Sequence, residues 1–186
     1  MAQIVTPNSR PQLATVRYKV MNAPERTEEE TGKLNFAQID ESKLSSKIDV
    51  LKIQKKIKEK NIEDADVIVV AGRGVKNEKD MAMIESLANL LGGEVAVTRP
   101  LVENGWADAK RQVGLSGRTV KPKLIITCGV SGAVQFTAGM NNSDYIFSID
   151  MDEKAPIFKV ANYGIVGDLY DIIPQLIENI KATKEA

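Results

Sequence analysis

Three short stretches of this 186-residue chain gather residue types suited to gripping a ligand. Gly72-Arg73-Gly74 and Gly114-Leu115-Ser116-Gly117-Arg118 set glycines beside a hydroxyl or a guanidinium. Cys128-Gly129-Val130-Ser131-Gly132 ends a run of β-branched residues, with Gln135 just beyond. Thr98-Arg99 and Asp150 add a hydroxyl, a cation and a carboxylate at the ends of other apolar runs. Glycine lets backbone N–H groups approach phosphate oxygens, and a following helix N-terminus adds a favourable dipole. Nucleophilic catalysis has few candidates. Histidine is absent, so a Ser-His or Cys-His triad is excluded, and the single Cys128 makes a zinc site implausible.

Each residue has a plainer reading. Gly72-Arg73-Gly74 is an ordinary strand-to-helix turn, and its glycine spacing is not the dinucleotide fingerprint. Arg99, before Pro100, is a solvated surface arginine. Ser131 and Asp168 cap helices. Cys128 is a small buried hydrophobe. Trp106, Met81 and Met83 pack, and the lysines between Lys47 and Lys60 form a solvated face. The ligand reading gains from coincidence, because the same few residue types recur at successive strand ends.

The elements that would position these residues are legible from residue 66 onward. Asp66 to Gly74, Glu94 to Thr98, Leu124 to Val130, Tyr145 to Asp150 and Ile157 to Gly164 read as strands. Met81, Ile84, Leu87, Ala88 and Leu91 share a helical face, with Asn77 and Asp80 as a weak capping pair before it and Gly92-Gly93 to stop it. Ala107 to Gly114 suggests one or two helical turns, Ser131 to Met140 a helix, and Asp168 to Lys181 a last helix that Pro174 kinks or restarts. Strands alternating with helices predict an α/β fold: a doubly wound, mostly parallel, Rossmann-like sheet that binds ligands outside its carboxyl ends.

Upstream, Ala14 to Val20 and Ile48 to Ile53 read as two isolated strands, with an acid-rich loop over Asn22 to Gly32. The predicted organisation is therefore a short amino-terminal β appendage, residues 1–65, and a binding domain, residues 66–186. Basic and acidic residues number 25 each, which argues against a nucleic-acid partner. No segment has membrane-spanning length, and a single cysteine with a lysine- and glutamate-rich make-up fits a reducing cytoplasm.

Several stretches together resemble the carboxy-terminal FAD-binding domain of the electron transfer flavoprotein α subunit. They are VIVVAGRGVKN, VTRPLVENGW, RQVGLSGRTVKPKLIITCGVSGAVQF, DEKAPIF and ANYGIVGDLYDIIP, running from about Asp66 to Ile180 without an obvious gap. The upstream TPNSRPQLATVR is similar to the end of that subunit's first domain, which would explain strands without a sheet. The resemblance implies an FAD cofactor and a heterodimer with a β subunit. It also implies electron transfer from acyl-CoA or other dehydrogenases, or from NADH in bifurcating members, to a downstream acceptor through the flavin semiquinone. It implies no bond-making step on a substrate.

Carried over by position, Arg73 matches an FAD-contacting arginine and Thr98 a small hydroxyl residue. Arg99 matches an arginine over the isoalloxazine, where a fixed positive charge would stabilise an anionic flavin. Val113, Gly114, Leu115 and Ser116 match the loop beside the flavin, with Ser116 near N5. Ser131, Gly132, Ala133, Val134, Gln135 and Phe136 match the loop around the ribityl chain and the flavin edge. Asp150 falls on the adenine-ribose side, and Asp168 and Leu169 on the adenosine side before the last helix.

Three positions depart from the family pattern. Leu115 stands for a glutamine, Phe136 for a histidine near flavin O2, and Asp150 for an asparagine. Phe136 removes a donor to an anionic semiquinone and leaves more of that duty to Arg99. Two other readings stay open: a nucleotide-binding module for AMP or NAD without redox function, and a structural fragment that needs the β subunit to hold flavin. The isolated strands also predict exposed edges and self-association of the isolated chain.

Overall fold

The computed structural model describes residues 5–15, 25–26, 32–40, 42, 44, 48–54 and 61–185. The chain divides into two compact units, Met1–Glu59 and Lys60–Ala186. In the first, Ile48 to Ile53 is irregular and exposed rather than the expected strand. A strand needs a neighbour to satisfy its backbone groups, and no named strand of the described residues lies in this unit. Of the expected strand at Ala14 to Val20, Ala14 and Thr15 are irregular and residues 16–20 lie outside the described ones, as does most of the expected loop at Asn22 to Gly32.

The second unit is built on five strands: β1 (Val67–Ala71), β2 (Glu94–Val97), β3 (Leu124–Cys128), β4 (Tyr145–Asp150) and β5 (Tyr163–Val166). All four pairings are parallel, in the order β2-β1-β3-β4-β5. Alternation of side chains sorts the sheet into two apolar faces. Val69, Ala71, Val97, Ile126, Cys128 and Ile149 face one layer, and Ile68, Val70, Ala96, Ile125 and Ile146 face the other. Burial on both faces explains why the central strands β1 and β3 read as continuous apolar runs rather than as alternating ones, whereas β5 at the edge is exposed.

Two long helices cover the first face. Helix α1 (Met81–Leu90) buries Met81, Ile84, Leu87 and Ala88 as its spacing predicts. It ends when the Gly93 N–H donates back to the Ala88 carbonyl at 2.8 Å, a bond that satisfies one of the last free carbonyls. Helix α4 is Leu169–Glu185, longer than expected and continuous through Pro174. The Asp168 carboxylate caps it, accepting from Tyr170 N at 2.9 Å. The opposite face is closed by short elements and loops, including α3 (Val134–Thr137) and a 3-10 turn at Pro156–Lys159. There Thr127 Oγ1, donating to Ser148 Oγ at 2.9 Å, pairs the only two hydroxyls that the described strands bury fully.

Three element expectations are corrected. Ser131 to Met140 holds only the four-residue α3, capped by Ala133 rather than Ser131, because Gly132 adopts a left-handed φ of +83° that no helix contains. The last strand begins at Tyr163, not Ile157. Pro156 starts a 3-10 turn that drives Ile157 fully into the core, so an apolar stretch that reads as a strand is used by a turn. A five-residue helix, α2 (Arg99–Glu103), stands where none was expected.

A side-chain clamp ties the turn after β1 to α4. Tyr170 Oη accepts from Lys76 N at 2.8 Å and donates to the Asp80 carboxylate at 2.6 Å, which also accepts from Asn77 Nδ2. The Tyr170 and Asn77 hydrogen bonds hold the Asp80 carboxyl below its ordinary 3.8. Burial, then the bond to Asp80, raises the Tyr170 hydroxyl above its ordinary 10.0. A depressed carboxyl stabilises the fold above its unfolded value, and that gain is lost as pH falls through the folded value. A raised phenol stabilises below its unfolded value, and that gain is lost as pH rises through the folded one. Tyr170→Phe should therefore lower the melting temperature by about 3–6 °C near neutrality. The gap to wild type should narrow below pH 3.8 and above pH 10.0. Melting curves across that range test it, and a gap independent of pH would refute the clamp.

Candidate functional site

The strand order places β1 between β2 and β3, so the chain leaves β1 towards β2 on one side of the sheet and leaves β3 towards β4 on the other. In open parallel sheets a crevice opens at that switch, outside the carboxyl ends. A cavity of about 830 Å³ lies there. It is lined by Arg73 and Gly74 after β1, Thr98, Arg99 and Pro100 after β2, Gly129 to Ala133 after β3, and Asp150 at the end of β4. Gln112 to Ser116, Gln135 and Phe136 complete the wall.

The two loops at the switch interlock through glycine. Gly74 N donates to the Gly129 carbonyl at 3.0 Å, and a Cβ on Gly129 would sit 2.7 Å from the Gly74 Cα. Gly129 also has φ +64°. These glycines therefore fit the loops to each other, and their own N–H groups are used: Gly129 N donates to the Ile149 carbonyl. The free donors come next in the chain. Among the described residues, the N–H groups of Ser131, Gly132 and Ala133 donate to no protein acceptor. The loop is pinned from behind, with Ile157 N donating to the Ser131 carbonyl at 3.0 Å. Three consecutive free N–H groups on a pinned loop form a cradle for an anion.

The second loop is braced in the same way. Leu115 N donates to the Gln135 carbonyl at 2.8 Å, and Arg118 N to the Gln112 carbonyl at 2.7 Å. Gln112 is buried, and its Nε2 donates to Ser116 Oγ at 2.9 Å. With one lone pair of its oxygen occupied, the exposed Ser116 hydroxyl keeps its proton for a partner on the cavity side. Thr98 Oγ1 is buried and lacks a partner among the described residues. The Arg99 guanidinium, 69% exposed, pairs with Glu103 at 2.7 Å, whereas Arg73 has no such partner among them. Asp150 Oδ1 accepts from Asp152 N at 2.9 Å, which holds that carboxylate against its own turn.

Thirteen of the residues singled out in the sequence line this one cavity: Arg73, Thr98, Arg99, Val113 to Ser116, Ser131 to Ala133, Gln135, Phe136 and Asp150. Three stand apart from its lining. Val134 is 75% exposed, Leu169 is a core residue packed near Gly74 and Gly129, and Asp168 caps α4 and meets Lys76 at 3.7 Å. Gln112 was not anticipated; the signal was an amide residue directly before the glycine-bearing loop it braces. Cys128 takes no part: it is fully buried on the opposite face of β3 from Thr127, and burial pushes its thiol up to about 12. The donors at one wall suit a phosphate-bearing ligand, and another wall presents hydroxyls and the Arg99 guanidinium.

Residues 61–141 match the family described as the electron transfer flavoprotein FAD-binding domain. The chain is 56% identical over 181 residues to the lactate dehydrogenase (NAD(+),ferredoxin) subunit LctC of Acetobacterium woodii, covering 97% of this chain and 43% of that protein. It is 48% identical to the electron transfer flavoprotein subunit alpha of Thermoanaerobacterium thermosaccharolyticum, covering 99% of this chain and 56% of that one. It is 39% identical to the acryloyl-CoA reductase electron transfer subunit beta of Anaerotignum propionicum, covering all of this chain and 52% of that one. The chain thus spans about half the length of the curated relatives it matches.

Proposed function

The chain belongs to the electron transfer flavoprotein α-subunit family through its FAD-binding domain, and from that premise we propose that it holds the FAD through which electrons pass from a dehydrogenase to a downstream acceptor. The row of free N–H groups at Ser131, Gly132 and Ala133, on residues that line the cavity at the sheet's switch point, carries this reading. They suit a pyrophosphate, and Arg73 adds a cation at the same end of the sheet. The orphaned Thr98 hydroxyl and the braced Ser116 hydroxyl suit a ring with both donors and acceptors at its edge.

FAD, when bound, supplies the redox chemistry, because its ring takes up and returns electrons singly or in pairs. The chain's own residues bind, orient and tune. Ser116 presents its proton to the ring edge, with Gln112 holding the oxygen. Arg99 supplies positive charge where negative charge develops on reduction. Phe136, buried in the wall, offers no hydrogen bond, so charge stabilisation falls to Arg99. Asp150 faces the ribose end. The proposed partners are a β subunit, which completes the site from outside this chain, and a flavin-linked dehydrogenase. The likeness to a protein named for NAD(+) and ferredoxin favours bifurcating traffic over fatty-acid oxidation as the setting. Residues 1–59, the first compact unit, are assigned to the end of a preceding domain, whereas Ile62 and Ala65 pack with the second unit. No helix of the described residues is long and apolar enough to cross a membrane.

The test is the absorption spectrum of the purified chain, alone and with a β subunit, after incubation with FAD and desalting. Flavin bands that persist in either preparation are expected. Persistence only with the β subunit would locate the remaining contacts there. A colourless product from both, or displacement of FAD by AMP at equal concentration, would sink the proposal.

A further inference from the structure

We propose that Glu103 is a positioning residue that parks the Arg99 guanidinium and sets how much of its charge reaches a bound flavin ring; this rests on the reading of the cavity as an FAD site. Arg99 lines the cavity, and its Nε donates to Glu103 Oε1 at 2.7 Å one turn along α2. The pair is poorly placed for stabilising that helix. A cation at the first position and a carboxylate at the last oppose the helix dipole, and this order is the weaker one for a pair four residues apart. The same turn breaks a second local rule. Thr98 sits at the cap position but makes no capping bond, and its Oγ1 is buried without a partner among the described residues. Local rules broken together, on a cavity wall, are a mark of a working site rather than of a folding element.

Both side chains are more than half exposed, at 69% and 58%. An exposed pair of this kind is weak and screened by salt. Arg99 is therefore tethered without being trapped. Glu103 offsets its charge while the ring is neutral, and Arg99 can exchange the carboxylate for the ring when negative charge appears there. Glu103 thus sets the difference in affinity between oxidised and reduced FAD while touching neither.

The experiment measures the affinity of Glu103→Gln and Glu103→Asp for oxidised FAD and for FAD reduced by dithionite. It uses whichever preparation, chain alone or chain with a β subunit, retains flavin. Glu103→Gln should raise the reduced-to-oxidised affinity ratio about 2–5-fold at low salt. That equals about 10–20 mV in the midpoint potential of a two-electron couple. High salt should erase most of the change, Glu103→Asp should restore most of the wild-type ratio, and in an Arg99→Ala background the substitution should do nothing. An unchanged ratio in Glu103→Gln, or an equal change without Arg99, overturns this inference and leaves the FAD site standing. Failure of the wild type to take up FAD in either preparation overturns both.

Discussion

Gly132→Ala is expected to be severely damaging, costing about 3 kcal/mol or more. Two causes add. The residue has φ +83°, where a side chain is strained whatever space it has, and the added Cβ would lie 2.3 Å from Ile157 N and 2.5 Å from Ile157 Cα. Those are backbone atoms of a turn anchored by a fully buried isoleucine, so they cannot yield as the tip of a flexible side chain would. Relief requires breaking the Ile157 N–H bond to the Ser131 carbonyl, which is the bond that pins the donor loop. Stability and ligand binding should therefore fall together. Gly92→Ala separates the causes: it also has positive φ, +67°, but nothing within 4 Å, and should cost only about 1 kcal/mol. Urea unfolding of the two variants tests the difference. Equal losses would show that the close packing against Ile157 carries no weight.

The loop's shape also marks what could be read in advance. The central strands were legible because burial on both faces gives dense runs such as Ile125-Ile126-Thr127-Cys128, and α1 because four buried residues keep its period, whereas the exposed edge strand β5 gave no such run and its start was misplaced. Helix α2 was not legible, since five residues give no period. Its only signal was Pro100 in the first turn, which read equally as a loop. Ile157-Phe158-Lys159-Val160-Ala161 is a mostly apolar stretch that reads as a strand, and only contact with the 131–132 loop makes its start a turn. At the site, residues that grip with side chains or glycines announced themselves by type. The wall positions of Arg73 and Gln135 followed from their place after strands, and that of Ser116 from its glycine-bearing loop before β3. The roles were harder to see. Gly129 was expected to bring its N–H to a ligand but spends it on Ile149, and the free donors fall on its successors, because pairing depends on neighbours distant in sequence. The Arg99–Glu103 pair needed α2 to exist before the two residues could be four apart on one helix.

The backbone donors can be tested one at a time by a substitution that removes an N–H and little else. Ala133 has φ −55° and ψ 145°, close to the values proline imposes, and its side chain is exposed. Its N–H donates to no protein acceptor among the described residues, so Ala133→Pro breaks no bond in the folded chain. Proline also narrows the unfolded ensemble, which offsets local strain. Stability without ligand should change by no more than about 1 kcal/mol. Binding should respond strongly, because a hydrogen bond to a charged group is worth about 1.5–3 kcal/mol. FAD affinity should then fall at least about tenfold. Riboflavin, which has the ring without phosphates, should bind the variant and the wild type alike. The comparison assigns the contact as well as its size. Equal losses for FAD and riboflavin would place the damage at the ring, and no loss for either would leave the anion to Arg73 and remove the N–H row from the site.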